Sequence, residues 1–334
     1  MIGEGYPMEH TTDRNQKPIL RVAAVQMESA AGNKEANLTK VESFVRQAAE
    51  SLVKLIVFPE CCVSGYWFMR NLTPDQLRAL AEPIPGGSSS KRLSMLARQY
   101  QMTIGAGFVE LGEDGYCHNS YVVAMPDGEI HSHRKLQAFE HPFVKAGSKF
   151  TVFDSPYGFR LGVLICYDNN VNENGRITAL MGADIVLAPH QTGGCRTRNP
   201  HLMGMIDRTL WDNRLSRPDD IERELKGEKG RAWLMRWLPS RAHDNGVFMV
   251  FANGVGVDDD EIRTGNAMIL DPYGRILAET WKAADAMVVA DLDGALLDHA
   301  TGREWIQARR PELYGLLAQP TGRERDTHEL KFEE

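Results

Sequence analysis

Short apolar runs alternate with amphipathic stretches along most of the chain. Residues 20–27, 53–58 and 102–109 are apolar runs with the length of strands, whereas residues 34–52 and the stretch from Ser88 carry apolar side chains at helical spacing. Later strands are predicted at 185–188, 247–252, 267–270, 275–278 and 287–290. Because strands and helices alternate early and hairpins close the chain, the pattern predicts an α/β fold of mixed sheets with helices outside them.

A cysteine ends one further apolar run. Residues 159–165 lead to Cys166, and polar residues follow from Asp168, which is typical of a strand, a turn and then a helix. That geometry lifts a side chain off the end of a sheet, beside backbone N–H groups that can stabilise a developing negative charge. Cys166 is therefore a candidate nucleophile. The alternative is an inert buried thiol, since free cysteine is among the most buried residue types.

Two other strand ends carry a carboxylate and a cation. The apolar run 55–58 leads to Glu60, and a hairpin that turns at residues 126–128 is followed by Lys135. Taken singly, a solvated loop glutamate and a surface lysine are the simpler interpretations. Together with Cys166 they supply a base, a cation and a thiol from the ends of three strands, and in open α/β sheets the ligand crevice lies outside those ends.

These three segments resemble the signature motifs of a known family. The motifs are Phe58-Pro59-Glu60 with Gly65-Tyr66, then His133-Arg134-Lys135, then Leu164-Ile165-Cys166-Tyr167-Asp168. In this order and spacing they resemble the glutamate, lysine and cysteine motifs of the nitrilase superfamily, the carbon–nitrogen hydrolases. The resemblance covers residues 20 to 295 and implies a four-layer α-β-β-α sandwich with two mixed sheets.

The resemblance also implies roles for the site residues. Cys166 would attack the substrate carbon and form a thioester, and Glu60 would act as general base and then as general acid. Lys135 and the backbone N–H of Tyr167 would stabilise the oxyanion. In this family a second carboxylate often follows the lysine, and Glu140 fits that role in positioning the substrate; the alternative is an exposed loop glutamate. No cofactor or metal is expected.

The residues around the nucleophile bear on the substrate class. Family nitrilases typically carry Cys-Trp-Glu, whereas this chain has Cys166-Tyr167-Asp168, which resembles the amidase and carbamoylase pattern. We expect hydrolysis of a small amide or N-carbamoyl compound, with release of ammonia or an amine. A nitrilase that converts a nitrile to a carboxylic acid is the first alternative. A catalytically inactive binding protein of the same fold is the second.

The chain is expected to divide into a hydrolase domain and three additional segments. These are an N-terminal arm (1–17), the domain (18–295) with an insertion (195–239), and a C-terminal extension (296–334). Family members commonly dimerise with such tails crossing to the partner, so the resemblance implies a homodimer or a larger homo-oligomer.

The insertion is rich in charge and holds three tryptophans. It follows the strand that ends at His190, which is a further candidate for positioning the substrate. As a lid over the pocket, the insertion would let Arg196 or Arg198 bind a substrate carboxylate. As a solvated helical insertion, it would use its tryptophans to pack against the domain.

Composition and charge limit the classes of binding partner and the cellular compartment that we expect for this chain. The 334 residues carry a net charge of −7, which argues against non-specific binding of nucleic acid. No apolar run approaches the ~18–20 residues of a membrane span, and residues 1–18 lack the features of a secretory signal. Five cysteines without metal-type spacing favour a cytoplasmic protein. His131 and His133 alternate on one predicted strand, but without a further ligand nearby they are expected to be exposed.

Overall fold

The computed structural model describes residues 17–197 and 199–332. The predicted N-terminal arm lies outside these residues except for Lys17, and so does Arg198. The ammonium group of Lys17 donates to Asp184 (2.6 Å) and to the Gly158 carbonyl (2.7 Å). These contacts tie the segment before the first strand to the surface of the domain.

The described residues form thirteen strands and ten α-helices. The strands are β1 (Ile19–Met27), β2 (Leu55–Val57), β3 (Thr103–Leu111), β4 (Cys117–Ala124), β5 (Ile130–Arg134), β6 (Thr151–Asp154), β7 (Arg160–Val163), β8 (Ile185–His190), β9 (Phe248–Asp258), β10 (Glu261–Thr264), β11 (Met268–Leu270), β12 (Ile276–Glu279) and β13 (Ala286–Asp293). The helices are α1 (Lys34–Glu50), α2 (Pro74–Leu80), α3 (Ser88–Tyr100), α4 (Asn172–Leu180), α5 (Arg208–Asp212), α6 (Pro218–Lys226), α7 (Arg231–Leu234), α8 (Leu238–Asn245), α9 (Thr301–Gln307) and α10 (Thr327–Phe332). Within residues 17–197 and 199–332, no helix has both the length and the apolar character needed to cross a bilayer.

Hydrogen bonds join the strands into one large mixed sheet. Its central path runs β5-β4-β3-β2-β1-β9-β8-β7-β6, and β13 pairs antiparallel with β1. Its two halves are linked by a short pairing, in which Gln26 and Met27 of β1 lie beside Asn253 and Gly254 of β9. The mixed α/β fold is therefore confirmed, whereas one hydrogen-bonded path takes the place of the two separate sheets that were predicted. The four-layer arrangement stays a prediction.

The two ends of this path approach each other, so the sheet is nearly closed. We call this place the β5–β6 seam and define it by His133 of β5 and Thr151 of β6, whose Nδ1 and Oγ1 atoms lie 3.0 Å apart. The Thr151 hydroxyl also lies 3.4 Å from the Ser132 carbonyl. The seam brings the strand before Lys135 next to the hairpin that leads toward Cys166.

Alternation along the strands separates the core into clusters. In β1, Leu20, Val22 and Ala24 join a cluster with residues from both halves of the sheet, including β4, β7 and β9. The intervening Ala23, Val25 and Met27 join a second cluster that packs against α1 and α3. A third cluster joins β8, β9 and β11 to α7 and α8. This period of two indicates that strand β1 is buried on both of its faces.

The insertion is helical and packs through its tryptophans. Trp211 is buried in an apolar cluster with residues of α6, β9 and β10. Trp237 is buried in the third cluster and its ring stacks near His190, with 5.8 Å between ring centroids. Trp211 and Trp237 therefore pack against the domain, as expected for a solvated helical insertion. A lid function of the insertion stays a prediction.

Candidate active site

Glu60 is held on a tight turn three residues after β2. The turn is fixed by the Tyr121 hydroxyl, which donates to the Phe58 carbonyl at 2.8 Å, and by a left-handed backbone at Cys61 (φ 45°). A Cβ on Gly107 of β3 would lie 2.5 Å from the Cys61 nitrogen. The turn therefore needs a glycine beneath it, because only a residue without a side chain lets the two backbones approach so closely.

Lys135 lies directly after β5 and is fully buried. Its backbone N–H donates to the Asn119 carbonyl at 2.8 Å, which continues the β4–β5 pairing by one residue. Its ammonium group donates to Glu60 Oε1 at 2.7 Å and also to Glu140 Oε1. The surface-lysine interpretation is therefore wrong, and Lys135 bridges two carboxylates.

Glu140 completes this cluster from the loop after Lys135. It is fully buried, so the exposed-loop interpretation is wrong. Its Oε2 accepts from the Phe139 N–H at 3.0 Å, and its Oε1 lies 3.4 Å from the Tyr66 hydroxyl. Glu140 is therefore anchored at both oxygens.

Cys166 begins a 3₁₀-helix, Cys166–Asn170, three residues after β7. Its backbone is left-handed (φ 48°), which is uncommon for a non-glycine residue and is typical of functional turns. Asp168 secures the turn, since its carboxylate accepts from the Ile165 N–H at 3.0 Å and from the Gln137 N–H at 2.9 Å. The same side chain therefore joins the turn of the thiol to the loop that carries Lys135 and Glu140.

The surroundings shift the pKa values of Glu60, Glu140 and Lys135 in different ways. Burial, and next the charge of an ionised Cys166, raise the pKa of Glu60 well above its usual range, and Lys135 offsets this only in part. Burial also raises the pKa of Glu140, but the charge and hydrogen bond of Lys135 outweigh it and lower that pKa overall. Burial lowers the pKa of Lys135, yet both carboxylates outweigh it and hold that pKa well above normal. The raised pKa therefore suits Glu60 to take a proton from a neighbouring group and to release it again, beside an ionised Glu140 and a charged Lys135.

Glu60 presents its two oxygens differently. Oε1 accepts from Lys135 (2.7 Å) and from the Asn119 amide (2.7 Å). Oε2 is buried and has no hydrogen-bond partner among residues 17–197 and 199–332. An unpartnered buried carboxylate oxygen is costly, so it marks a position where a proton or a substrate group can bind.

Aromatic side chains surround the ammonium group of Lys135. It lies 4.5 Å from the ring centroid of Phe139 and 5.8 Å from that of Tyr66. The Phe139 ring in turn contacts Trp67 and Tyr167 edge-on, with centroids 6.4 and 5.9 Å apart. These rings exclude water from the cluster, which strengthens its electrostatic interactions.

The remaining predicted site residues lie in different surroundings. His190 is buried, its Nε2 atom lies 3.1 Å from the Asn169 amide nitrogen, and burial lowers its pKa to about 3, so its imidazole is neutral at neutral pH. Its role in positioning the substrate stays a prediction. Arg196 is not brought into the cluster: its side chain is 76% exposed, and its guanidinium lies 3.6 Å from Asp260. Arg198 lies outside the described residues.

Three residues of the site were missed by the sequence analysis. Asn119 donates to both carboxylates, Asp168 joins the two loops, and His133 lies 3.4 Å from Asp168 as well as on the β5–β6 seam. The expectation that His133 is exposed is wrong, since it is almost fully buried. Asp168 and His133 stand within the quoted motifs, so their position was a signal, whereas Asn119 carried none.

Within residues 17–197 and 199–332, no three His, Cys, Asp or Glu side chains are grouped in a way that could hold a metal ion. The buried acidic groups around Lys135 instead share its ammonium group as their cation.

The sequence of the chain is similar to a family of enzymes and to several known proteins. A family model described as carbon-nitrogen hydrolase matches residues 21–300. A probable nitrilase of Schizosaccharomyces pombe is 30% identical over 308 residues, which make up 90% of this chain and 98% of that protein. An (R)-stereoselective amidase of a Pseudomonas species is 29% identical over 82% of this chain and 86% of its own length.

Solved structures show the same fold. An amidase of the nitrilase superfamily from Nesterenkonia superposes with a TM-score of 0.65, covering 89% of this chain and 97% of that chain at 21% identity. Nit3 of Saccharomyces cerevisiae, of the same superfamily, gives a TM-score of 0.65 over the same shares at 24% identity. Together with the family match over most of the chain, these findings show that the chain belongs to the carbon–nitrogen hydrolases of the nitrilase superfamily.

Proposed function

We propose that the protein hydrolyses the C–N bond of a small amide or N-carbamoyl compound through a thioester on Cys166. The observation that carries this proposal is the buried cluster in which Lys135 bridges Glu60 and Glu140. Burial of three ionisable groups carries a large desolvation penalty, which favours a functional role for the cluster. Cys166 interacts with it electrostatically, since its charge acts on the pKa values of both Glu60 and Lys135.

The first half of the reaction forms the thioester. Cys166 transfers its proton to Glu60 Oε2, the oxygen without a partner, as its sulfur bonds to the substrate carbonyl carbon. Lys135 and the Tyr167 N–H stabilise the resulting oxyanion. The C–N bond then breaks as Glu60 gives its proton to the departing nitrogen, and ammonia or an amine leaves.

The second half restores the enzyme. Glu60 takes a proton from water, and the hydroxide adds to the thioester carbon. Collapse of that intermediate breaks the C–S bond, releases the carboxylic acid and returns the proton to the sulfur. Glu140 remains ionised throughout and keeps Lys135 charged and in place.

An amide is favoured over a nitrile by the residues at the nucleophile, where Tyr167 and Asp168 stand in place of the Trp-Glu of family nitrilases. Relatives carry both kinds of name, among them an omega-amidase of Homo sapiens and a nitrilase of Pyrococcus abyssi. Conversion of a nitrile to an acid is therefore the second candidate. It uses the same nucleophile, base and cation.

The proposal is tested with a panel of aliphatic amides, N-carbamoyl compounds and nitriles, assayed for release of ammonia. We expect ammonia from amides or N-carbamoyl compounds and none from the Cys166→Ser variant. Mass spectrometry of the enzyme quenched during turnover should show an acyl adduct on Cys166. Release from nitriles alone would select the second candidate.

Thiol labelling distinguishes an enzyme from an inactive binding protein. Cys166 and Cys195 are equally exposed (7%), and burial raises the pKa of Cys195 to about 12. Iodoacetamide should therefore label Cys166 fast and leave Cys195 unmodified, with Cys195→Ser as the matched control. Equal slow labelling of both thiols would favour a protein without catalytic activity.

We also propose that the C-terminal extension contacts a second copy of the chain. Several of its apolar side chains are exposed, namely Trp305, Leu313, Leu316 and Leu317. Exposed apolar groups of this number in one segment are typical of an association surface. Light scattering at micromolar concentration should give the mass of a dimer or larger assembly, and a monomer mass would contradict this proposal.

A further inference from the structure

Asn119 of β4 lies at the centre of the buried cluster. Its side-chain nitrogen donates to Glu60 Oε1 at 2.7 Å and to Glu140 Oε1 at 2.9 Å. Its backbone carbonyl accepts from the Lys135 N–H at 2.8 Å. One residue therefore contacts all three charged members of the cluster, and it is itself almost fully buried.

The orientation of the Asn119 amide is set from its other side. The Cys61 thiol lies 3.3 Å from Asn119 Oδ1 and donates to it. A thiol donor requires an amide oxygen opposite it, so both amide hydrogens point at the carboxylates. Burial, and next the charge of Glu60, raise the pKa of Cys61 well above normal, which keeps this thiol protonated.

The position of Cys61 follows from the Glu60 turn. The left-handed backbone at Cys61 directs its side chain toward β4, whereas the neighbouring Cys62 thiol is directed to the Gly107 carbonyl at 3.8 Å. The thiols of these two adjacent cysteines therefore contact different parts of the structure. The Cys61 thiol contacts the amide that holds the two carboxylates, whereas the Cys62 thiol contacts backbone beneath the Glu60 turn.

Given the hydrolase activity proposed above, we propose that Asn119 is a positioning residue that holds Glu60 and Glu140 around Lys135, and that the Cys61 thiol fixes the orientation of its amide. With Oε1 of Glu60 held by two donors, Oε2 is the oxygen left to exchange a proton. Loss of the Asn119 hydrogen bond would free the carboxyl group to rotate and would remove a donor that favours its ionised form.

Asn119→Asp gives the most direct test, because it keeps the shape and replaces two N–H donors with a carboxylate. We expect kcat to fall at least about 100-fold, as for loss of an oriented donor in other active sites. The variant places a third carboxylate beside a single lysine and could fail to fold, so the cysteine variants provide the second test.

Cys61→Ala removes the donor to the amide, while Cys61→Ser retains one. We expect Cys61→Ala to lower kcat about tenfold, the effect of about 1.4 kcal/mol in the barrier, and Cys61→Ser to restore most of it. The acidic limb of the pH profile of kcat/KM should move to higher pH in Cys61→Ala only. Cys62→Ser is the matched control and should leave both kcat and the profile unchanged.

A structural role alone predicts a different outcome. If Cys61→Ala lowers the melting temperature but leaves the profile unchanged, or if Cys62→Ser shifts it equally, the proposal is overturned. The rate of Cys166 alkylation against pH provides a readout without substrate. Should no amide be hydrolysed, the proposed function fails, whereas a shifted alkylation profile in Cys61→Ala would still support the positioning role.

Discussion

Replacing Lys135 with methionine tests the electrostatics of the buried cluster most directly. Methionine keeps much of the side-chain volume of lysine. It removes the positive charge that forms ion pairs with both Glu60 and Glu140. At 2.7 Å and an effective dielectric constant near 20, the Lys135–Glu60 ion pair is worth about 6 kcal/mol before desolvation is counted. Breaking one buried pair typically costs about 3–5 kcal/mol in the free energy of unfolding, which is the loss we expect near neutral pH.

The loss should depend on pH in a defined direction. In the native protein the pKa of Glu140 is lowered, so Glu140 contributes stability above its unfolded pKa of about 4.3, and this is lost as the pH falls. Without Lys135, burial and repulsion from Glu60 would raise the pKa of Glu140 in the folded state. The variant then loses stability as the pH rises above about 4.3, by at most about 1.4 kcal/mol per pH unit for one proton.

Urea denaturation between pH 5 and pH 8 measures this difference. We expect the gap between native protein and Lys135→Met to widen with pH, and kcat to fall about 10²–10³-fold, as for loss of one oxyanion donor. The exposed Lys54→Met is the matched control and should change neither quantity. A gap that stays constant across this range would refute the protonation states assigned here.

Three further substitutions test the turns and the insertion. Gly107→Ala should lower both stability and kcat, because its Cβ would lie 2.5 Å from the Cys61 nitrogen; circular dichroism melting and ammonia release measure the two effects. Asp168→Asn should lower kcat about tenfold with a smaller change in melting temperature, because its amide group can accept only one of the two N–H bonds from Ile165 and Gln137. Trp211→Ala should cost about 3–5 kcal/mol of unfolding free energy while kcat under native conditions stays near normal, and a selective loss of kcat would instead favour a lid.

Much of the fold was readable from the period of the apolar residues. The helix predicted over 34–52 is α1, and the runs at 20–27 and 102–109 are β1 and β3. The union of the strands into one sheet was not readable, because it depends on the short pairing of β1 with β9, residues that lie more than two hundred positions apart. Periodicity reports burial along a segment and contains no information on such pairing.

The charged part of the site followed from its motifs, whereas its supports did not. Lys135 and Glu140 were distinguished from surface residues only by resemblance, since burial of a charge is set by the surrounding fold. Asn119 lies between His118 and Ser120 near the start of β4, where the sequence shows polar residues but not the two carboxylates that Asn119 will meet. Arg196 lies outside the cluster, with its guanidinium 3.6 Å from Asp260, so its contact with a substrate stays a prediction.

The β5–β6 seam has a mechanical consequence. Lys135 leaves the sheet on one side of the seam, and the strand that precedes the thiol is paired to β6 on the other side. Parting the two edges by a few ångströms would move Lys135 away from Cys166, the proposed nucleophile, while every helix stayed intact. Hydrolytic competence should therefore be lost at lower denaturant concentrations than helical content, which would make turnover a more sensitive gauge of local opening than any spectrum of the backbone.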